Sequence, residues 1–267
     1  AGPAWSGGDA GARAVVPLLQ AWGERLDVLL LSHGDLDHVG GAAAVLASQP
    51  QARLRGAGAA QVAQQAQQPW QPCVAGQQWE WDGVLWQVLY PGAEGPTQGN
   101  PSSCVLRVQA ANGAAALLTG DIESAQEVAL LRAGVPLQAE LLMAPHHGSR
   151  TSSSAAWLAA VAPHTVVVQA GYRNRFGHPA RPVVQRYAQQ GAVVVTTPQC
   201  GAVHWDSRQA RQVVCERMRQ PHYWSATAAG PSISPATRPT PTTLMGPLGS
   251  RSPPPSAARP TSTRRWG

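Results

Sequence analysis

The pattern of apolar and polar positions predicts alternating strands and helices along most of the chain. Leu26–Ser32 is a continuous apolar run, typical of a strand buried on both faces, and a polar loop and a helix opened by Gly40-Gly41 follow it. Alternating segments around Asp82-Gly83 and Asn112-Gly113 indicate two hairpins, because these dipeptides favour two-residue turns. Other helices are expected at residues 15–22, 123–133, 153–161 and 182–190, and other strands at 140–144, 165–170, 193–197 and 202–205, the last strand of the fold. Residues 51–78 indicate only a weak strand and helix.

Strands that alternate with helices favour an α/β sandwich. From about Gln220 the chain is rich in Pro, Ser, Thr, Ala and Arg without apolar periodicity, which is typical of disorder. We therefore expect a domain at residues 1–219 and a disordered tail at 220–267. No apolar run approaches the ~20 residues of a membrane helix, and no signal peptide is evident. Because the chain opens on Ala1-Gly2-Pro3 without Met, we expect it to be a piece of a longer protein.

The net charge of +6 is mainly a property of the tail. All 20 basic residues are Arg; residues 221–267 hold five of them and no acid, so residues 1–220 balance 15 Arg against 14 acids. Overall basicity is therefore weak evidence for a nucleic-acid partner. Residues 141–205, in contrast, hold five Arg and no acid, which places positive charge beside the histidine motif described below.

The four cysteines show no CxxC spacing, so they do not form a zinc-finger pattern. Burial as small apolar side chains is the simpler interpretation. A Cys200–Cys215 disulfide is the alternative in an oxidising compartment.

The segment His33-Gly34-Asp35-Leu36-Asp37-His38 places four candidate metal ligands within six residues at the end of a buried strand. Two acids and two histidines this close repel and desolvate one another unless a cation is present. Two more groups of ligand type follow predicted strands: Asp121, and the adjacent pair His146-His147. Because all three lie at strand ends, together they predict a metal site.

Four segments in this order carry a resemblance to a known family: SHGDLDHVGG, LLTGDIE, APHHGSRTSSS and GYRNRFGHP. The first resembles the HxHxDH signature of the metallo-β-lactamase superfamily, with Asp35 in place of the middle histidine. Together, over roughly residues 1–206, they resemble the metallo-β-lactamase-like domain of the ComEC competence proteins. The resemblance implies a four-layer αββα sandwich and a nuclease that degrades one DNA strand during uptake.

The resemblance also implies roles for individual residues. His33 and Asp35 match ligands of a first metal, Asp37 and His38 ligands of a second, and Asp121 the bridging carboxylate. His146 or His147 matches a later ligand. Asn100 and Ser103 are expected near the site, and His178 near the substrate phosphate or the metal, with a loop cap beside Pro179 as its alternative role. The full substrate-binding set is Asn100, Ser103, Ser149, Arg150, Arg173, Asn174, Arg175 and His178.

The sequence departs from the superfamily pattern in two ways. Residues 39–120 contain no histidine, although the superfamily usually has one there; the ComEC resemblance shares this lack. The family also begins with strands that carry an Asp-Val-Gly-Gln-Gly-Asp segment, which is not found here. We therefore expect an N-terminally truncated domain that lacks these strands and the family's membrane region.

The mechanistic hypothesis is hydrolysis with two divalent cations that share a hydroxide and Asp121, and in-line attack of that hydroxide on phosphorus. Asp37 binds metal or accepts the proton of the water. Arg150, Arg173 and Arg175 hold flanking phosphates through their bidentate guanidinium groups. The carboxylate-rich ligand set favours Mn²⁺, with Zn²⁺ as the alternative.

Two other functions remain open from the sequence. One is hydrolysis of another substrate, such as a small phosphoester or a lactone, and the other is a metal-free DNA-binding scaffold. The expected partners are DNA, single-stranded or duplex, and other domains of a larger membrane protein. The resemblance implies a bacterial inner-membrane protein, with this domain soluble and outside the cytoplasm.

Overall fold

The computed structural model describes residues 1–220. Its strands are β1 Ala4–Trp5, β2 Gly8–Asp9, β3 Val28–Leu31, β4 Arg53–Gly56, β5 Trp70–Gln71, β6 Gln78–Trp81, β7 Val84–Tyr90, β8 Val105–Gln109, β9 Ala115–Leu118, β10 Leu141–Met143, β11 Thr165–Val168, β12 Val193–Thr196, β13 Val203–Trp205 and β14 Val213–Cys215. Its α-helices are α1 Val16–Trp22, α2 Leu36–Val39, α3 Ala42–Ser48, α4 Ala59–Ala66, α5 Ser124–Ala133, α6 Ala155–Val161, α7 Arg181–Gln189, α8 Thr197–Cys200 and α9 Glu216–Arg219.

The largest sheet has seven strands in the order β12-β11-β10-β9-β8-β7-β6. Strands β6 to β9 run antiparallel and β9 to β12 run parallel. The β6–β7 turn contains Asp82 and Gly83, both with positive φ, as the predicted two-residue turn requires. A second sheet, of order β3-β4-β5, is entirely parallel.

The two sheets and the helices form four layers. Successive side chains of each strand point to opposite faces of its sheet, so each sheet packs against a neighbouring layer on both sides. On one face of the large sheet, Leu117 and Leu142 pack in the main core with Trp157 of α6 and Tyr187 of α7. On the other face, the cluster of Val88 and Leu106 contacts Leu30 of β3, so the sheets face each other. The outer face of the small sheet packs its leucines against α3 and α4. The order helix, sheet, sheet, helix confirms the predicted αββα sandwich.

The chain continues past the strand that was expected to be the last. Strand β13 pairs antiparallel with β14, and this hairpin packs Trp205 and Val213 against Leu141 and Val167 of the large sheet. Sequence reasoning missed β5, β14, the small β1–β2 hairpin and the short helices α2, α8 and α9, because each of these elements is very short. The other predicted elements are present, with ends shifted by a few residues.

All four cysteines form disulfides, Cys73–Cys104 and Cys200–Cys215. The second pairing was the alternative weighed from the sequence, whereas the simpler interpretation, unpaired buried cysteines, is wrong. Cys73 and Cys104 lie 31 residues apart, and only the packing of β7 and β8 brings them together.

Within residues 1–220, no helix has the length and apolar character needed to cross a bilayer. The division at residues 219 and 220 stays a prediction. Beyond Gln220, the predicted disordered tail lies outside the described residues.

Three strand ends meet at one edge of the sandwich and position the site. Strands β9 and β10 are parallel neighbours, so the loops that carry Asp121 and His146 leave the sheet side by side. The loop after β3 is joined to the large sheet at the start of β8, where the backbone N–H of Cys104 donates to the carbonyl of Ser32 at 2.8 Å.

Candidate metal centre

Asp121 lies at the centre of the site, three residues after β9. Its side chain is only 6% exposed, and its backbone N–H donates to Ser103 Oγ at 3.0 Å. The preceding Gly120 has φ +53°, and a Cβ there would lie 2.9 Å from the Cβ of Ser32 and 3.0 Å from that of Ser103. Glycine at this position therefore lets the loops approach closely enough to bring Asp121 to the other ligands.

The first loop contributes His33 and Asp35. The His33 side chain is fully buried, and its Nε2 lies 3.9 Å from Asp121 Oδ2 and 3.6 Å from Asp35 Oδ2. This buried Nε2 has no hydrogen-bond partner among the described residues. On the other side of the ring, Nδ1 lies 3.2 Å from Ser32 Oγ. The imidazole is thus held on one side while its other nitrogen points at two carboxylates.

The second half of the same loop turns into the short helix α2, which carries Asp37 and His38. His38 Nε2 lies 3.3 Å from Asp121 Oδ1 and 3.6 Å from Asp37 Oδ2. Its Nδ1 lies 3.1 Å from the same Ser32 hydroxyl that contacts His33. One hydroxyl oxygen can accept from both rings, which leaves both Nε2 lone pairs facing Asp121.

His146 and His147 follow β10 in a tight turn in which both have positive φ, 48° and 54°. Such strain in residues other than glycine is typical of functional sites. His147 Nε2 lies 3.4 Å from both Asp37 Oδ2 and Asp121 Oδ2, and 3.3 Å from His38 Nε2. Its Nδ1 lies 2.8 Å from the carbonyl of Gln169, which fixes the proton on Nδ1. Two lone-pair nitrogens this close favour a cation between them.

His146 is the more distant of the two adjacent histidines from Asp121. Its Nε2 is 4.0 Å from Asp121 Oδ2 and 3.5 Å from the side-chain nitrogen of Asn100. Its Nδ1 lies 3.0 Å from Glu123 Oε1. Both adjacent histidines therefore direct a ring nitrogen to the central carboxylate, and that of His147 lies closer to it.

The segment after the histidines is held by Glu127, which is fully buried in α5. Its carboxylate accepts from the backbone N–H groups of Ser153 and Ser154, the second bond at 2.9 Å. The Arg186 guanidinium donates to the carbonyls of Ser153 and Ser152, at 2.7 and 2.8 Å. This buried network fixes the start of α6 and, through it, the turn that carries the histidines.

One arrangement is common to the four histidines: each Nε2 lies within 4.0 Å of the Asp121 carboxylate. The Nδ1 atoms of His33, His38 and His147 each contact an oxygen, whereas the buried Nδ1 of His146 lies 3.0 Å from Glu123 Oε1 without hydrogen-bond geometry. Oxygen contacts behind metal-ligating imidazoles orient the ring and leave the inner nitrogen free. Ligand atoms of Asp37, His38, Asp121 and His147 all lie within 4.8 Å of one another. The buried, unpartnered His33 Nε2 and this donor set fit a divalent metal.

The electrostatics agree with a site made for positive charge. Burial alone would raise the pKa of Asp121, but the contact with His38 and the charges of His147, His38 and His33 hold it below its ordinary value. Burial opposes protonation of His38, yet Asp121 and Asp37 outweigh it and raise the pKa of His38. Burial and the charge of His38 lower the pKa of His33.

A cavity of about 370 Å³ opens beside the cluster and extends between the two sheets. His38, Asp121 and His147 line its polar end, and Leu30 and Leu106 are among its apolar lining. The cluster is thus open on one side to a molecule of moderate size.

The structure places the predicted substrate-binding residues in three groups. Ser103 and Asn100 lie inside the site, against Asp121 and His146 respectively. The His178 ring centroid lies 5.8 Å from that of His146, and burial and the His146 and His147 charges lower the pKa of His178. Arg150, Arg173 and Arg175 are exposed, Ser149 is buried and contacts Thr151, and the Asn174 amide bonds within its own loop.

Sequence reasoning missed Ser32 and Gln169, which contact the outer nitrogens of three of the histidines, and Glu123, which lies 3.0 Å from that of His146. Ser32 and Glu123 stand inside the SHGD and GDIE segments, so the motifs contained a signal for them. Gln169 contributes only its backbone carbonyl and left no trace in the sequence.

No protein-family model matches the chain. The chain is 38% identical over 193 residues to the competence protein ComA of Neisseria gonorrhoeae, an alignment that covers 72% of this chain and 27% of that protein. It is 30% identical over 229 residues to Recombination protein 2 of Haemophilus influenzae, which covers 86% and 28%. Among solved structures it is similar to Igni18, a metallo hydrolase of Ignicoccus hospitalis, with 15% identity, a TM-score of 0.43 and coverage of 64% and 75%.

The four-layer sandwich and the ligand cluster at its strand edge define a protein of the metallo-β-lactamase fold. The chain is a homologue of the ComA/ComEC-type competence proteins, as the four motifs predicted. It spans about a quarter of the length of these relatives.

Proposed function

We propose that this chain is a metal-dependent phosphodiesterase that hydrolyses DNA during natural competence. The observation that carries the proposal is the convergence of four imidazole nitrogens on the buried carboxylate of Asp121. Apolar residues at this strand edge would stabilise the fold better than four histidines and three acids do. A structural role therefore does not explain the cluster.

We divide the candidate ligands into two groups around Asp121. Asp37, His38 and His147 form the first group, with His147 Nε2 only 3.4 Å from Asp37 Oδ2. His33, Asp35 and His146 form the second group, because His33 Nε2 lies 3.6 Å from Asp35 Oδ2 and His146 Nε2 lies 4.0 Å from Asp121 Oδ2. Each group, together with Asp121, would hold one divalent cation. When bound, such a pair supplies Lewis-acid activation of water and of the phosphodiester.

The protein's own residues supply positioning and proton transfer. The side chain of Asp37 is 55% exposed at the rim of the cluster, so it can accept the proton of an attacking water. Ser103 and Gly120 fix the backbone of Asp121, and Ser32 fixes the rings of His33 and His38. His178 lies beside His146, with 5.8 Å between the ring centroids, and we assign it to donate to a phosphate oxygen.

DNA is favoured as the substrate by the relatives and by charge. One relative is named a competence protein and another a recombination protein. Arg150, Arg173 and Arg175 are exposed, and residues 141–205 contain no acid to neutralise them. Exposed guanidinium groups beside a hydrolytic centre suit the flanking phosphates of a polyanion.

The two disulfides support a location outside the cytoplasm, where such bonds persist. We propose that the domain acts there as part of a larger membrane protein, because the relatives are about four times longer than their aligned regions. A thiol assay of the denatured, non-reduced protein should then find no free cysteine.

The function is tested by cleavage of labelled DNA after removal of metal with a chelator and return of Mn²⁺ or Zn²⁺. Asp37→Ala is the test variant. Asp27→Ala is its matched control, because Asp27 is an exposed acid just before the start of β3, at the end opposite His33. We expect cleavage only with metal, its loss in Asp37→Ala and its retention in Asp27→Ala.

Other outcomes would replace the proposal. Metal-dependent hydrolysis of a small phosphoester or a lactone, without cleavage of DNA, would indicate a hydrolase of another substrate. DNA binding by a folded chain that takes up no metal would indicate a scaffold.

A further inference from the structure

The loop of residues 171–178, between β11 and α7, lies beside the metal centre and presents aromatic side chains to solvent. We call it the aromatic loop. Phe176 is 67% exposed and Tyr172 is 61% exposed. Large apolar side chains exposed at the edge of a site are a common feature of binding surfaces.

The aromatic loop is connected to the metal centre by a series of ring contacts. The Phe176 ring stacks on that of His178, at 5.8 Å between centroids and 16° between planes. The His178 ring in turn lies 5.8 Å from the ring of His146. A group stacked on Phe176 is therefore only two ring contacts away from a candidate metal ligand.

The loop is held in shape although its aromatic side chains are exposed. The Asn174 amide donates to the carbonyls of Gly171 and His178, at 3.1 and 2.6 Å, and accepts from the N–H of His178 at 2.9 Å. Asn174 thus closes the loop instead of facing a substrate. A fixed loop presents its aromatic faces without a large entropic cost on binding.

An arginine lies beside each of the two exposed aromatic rings of the aromatic loop. The guanidinium carbon of Arg175 lies 4.8 Å from the Phe176 centroid, and that of Arg173 lies 5.2 Å from the Tyr172 centroid. Aromatic faces for stacking and arginines for phosphates, brought together in one short segment, match a single nucleic-acid strand. A duplex matches less well, because its bases are stacked inside and cannot reach the rings.

We propose that the aromatic loop binds unpaired nucleotides, with bases stacked on Phe176 and Tyr172 and phosphates held by Arg173 and Arg175. The loop thereby selects single-stranded DNA for the metal centre. This inference rests on the proposed DNA phosphodiesterase function and names the residues that set its specificity.

The test measures binding of metal-free protein to a fluorescent oligo(dT) and to a blunt DNA hairpin at one fixed salt concentration. Phe176→Ala removes a stacking face, and Phe176→Leu keeps apolar volume without a π face. Trp22→Ala is the control, because Trp22 is 60% exposed at the end of α1. Circular dichroism checks that each variant is folded.

We expect the unsubstituted protein to prefer oligo(dT), and Phe176→Ala and Phe176→Leu each to weaken oligo(dT) binding about 5- to 100-fold, as loss of one stacked base does. The affinity of the Phe176 variants for the hairpin should be unchanged. The Trp22→Ala variant should bind oligo(dT) like the unsubstituted protein. The proposal is overturned if Phe176→Ala binds oligo(dT) like Trp22→Ala, if both DNAs weaken equally, or if the unsubstituted protein binds neither. Because no metal is present, loss of binding can be separated from failure of the hydrolytic proposal.

Discussion

Replacement of Glu127 by alanine tests whether a buried carboxylate maintains the turn that carries His146 and His147. The carboxylate accepts two backbone N–H groups, of Ser153 and Ser154, inside the fold. Hydrogen bonds to a charged group contribute about 1.5–3 kcal/mol each. Since the substitution also relieves the desolvation of a buried charge, we take the lower value for each bond and expect a loss of about 3 kcal/mol.

The assay is thermal unfolding followed by circular dichroism. In a domain of this size each kcal/mol shifts Tm by about 2–4 °C, so Glu127→Ala should lower Tm by about 6–12 °C. Glu127→Gln keeps the shape and one acceptor oxygen, and should lose about half as much. Glu24→Ala removes an exposed glutamate and should change stability by less than about 0.5 kcal/mol.

The variant should also bind metal more weakly, because the histidine turn is no longer fixed from behind. Equal melting temperatures for Glu127→Ala and Glu24→Ala would refute this account of the buried network.

Three more predictions follow from the structure. Gly120→Ala places a Cβ against Ser32 at a backbone position with positive φ. We therefore expect the free energy of unfolding, measured in urea, to fall by about 1–3 kcal/mol. An unchanged free energy of unfolding would show that the loops can separate freely. Burial raises the pKa of Tyr187 to about 12, above the ordinary value near 10, so the stability it contributes is complete below pH 10 and is lost as pH rises through 12. Over that range the unsubstituted protein should lose about 2.7 kcal/mol of unfolding free energy through this tyrosine. The Tyr187→Phe variant should not show that loss, whereas the exposed control variant Tyr172→Phe should still show it. Addition of Mn²⁺ or Zn²⁺ at 100 times its Kd should raise Tm by about 5–10 °C in the metal-free protein and much less in Asp121→Asn; an equal rise in both would place the metal elsewhere.

Local signals explain why much of the fold could be predicted. Asp82-Gly83 and Asn112-Gly113 specify turns through their own backbone preferences, and the apolar run before His33 specifies a buried strand. The candidate ligands were equally visible, because His33 to His38 concentrate charge that only a cation or solvent can offset.

The remaining features depend on contacts between distant segments. The pairing of Cys73 with Cys104 and the meeting of Glu127 with Ser153 require the packed sheets, and no local pattern encodes them. The approach of both His146 and His147 to Asp121 depends on two strained backbone positions in one turn. Adjacent histidines alone do not predict that geometry.

The central claim is that the Asp121 cluster binds divalent metal and that this metal is required for hydrolysis of DNA. The most direct measurement is native mass spectrometry of the folded chain titrated with Mn²⁺ or Zn²⁺, with DNA cleavage followed in the same samples. We predict two bound ions per chain, and cleavage that appears with them and disappears with chelator. A folded chain that binds no ion, or cleavage that continues unchanged in chelator, would contradict the account.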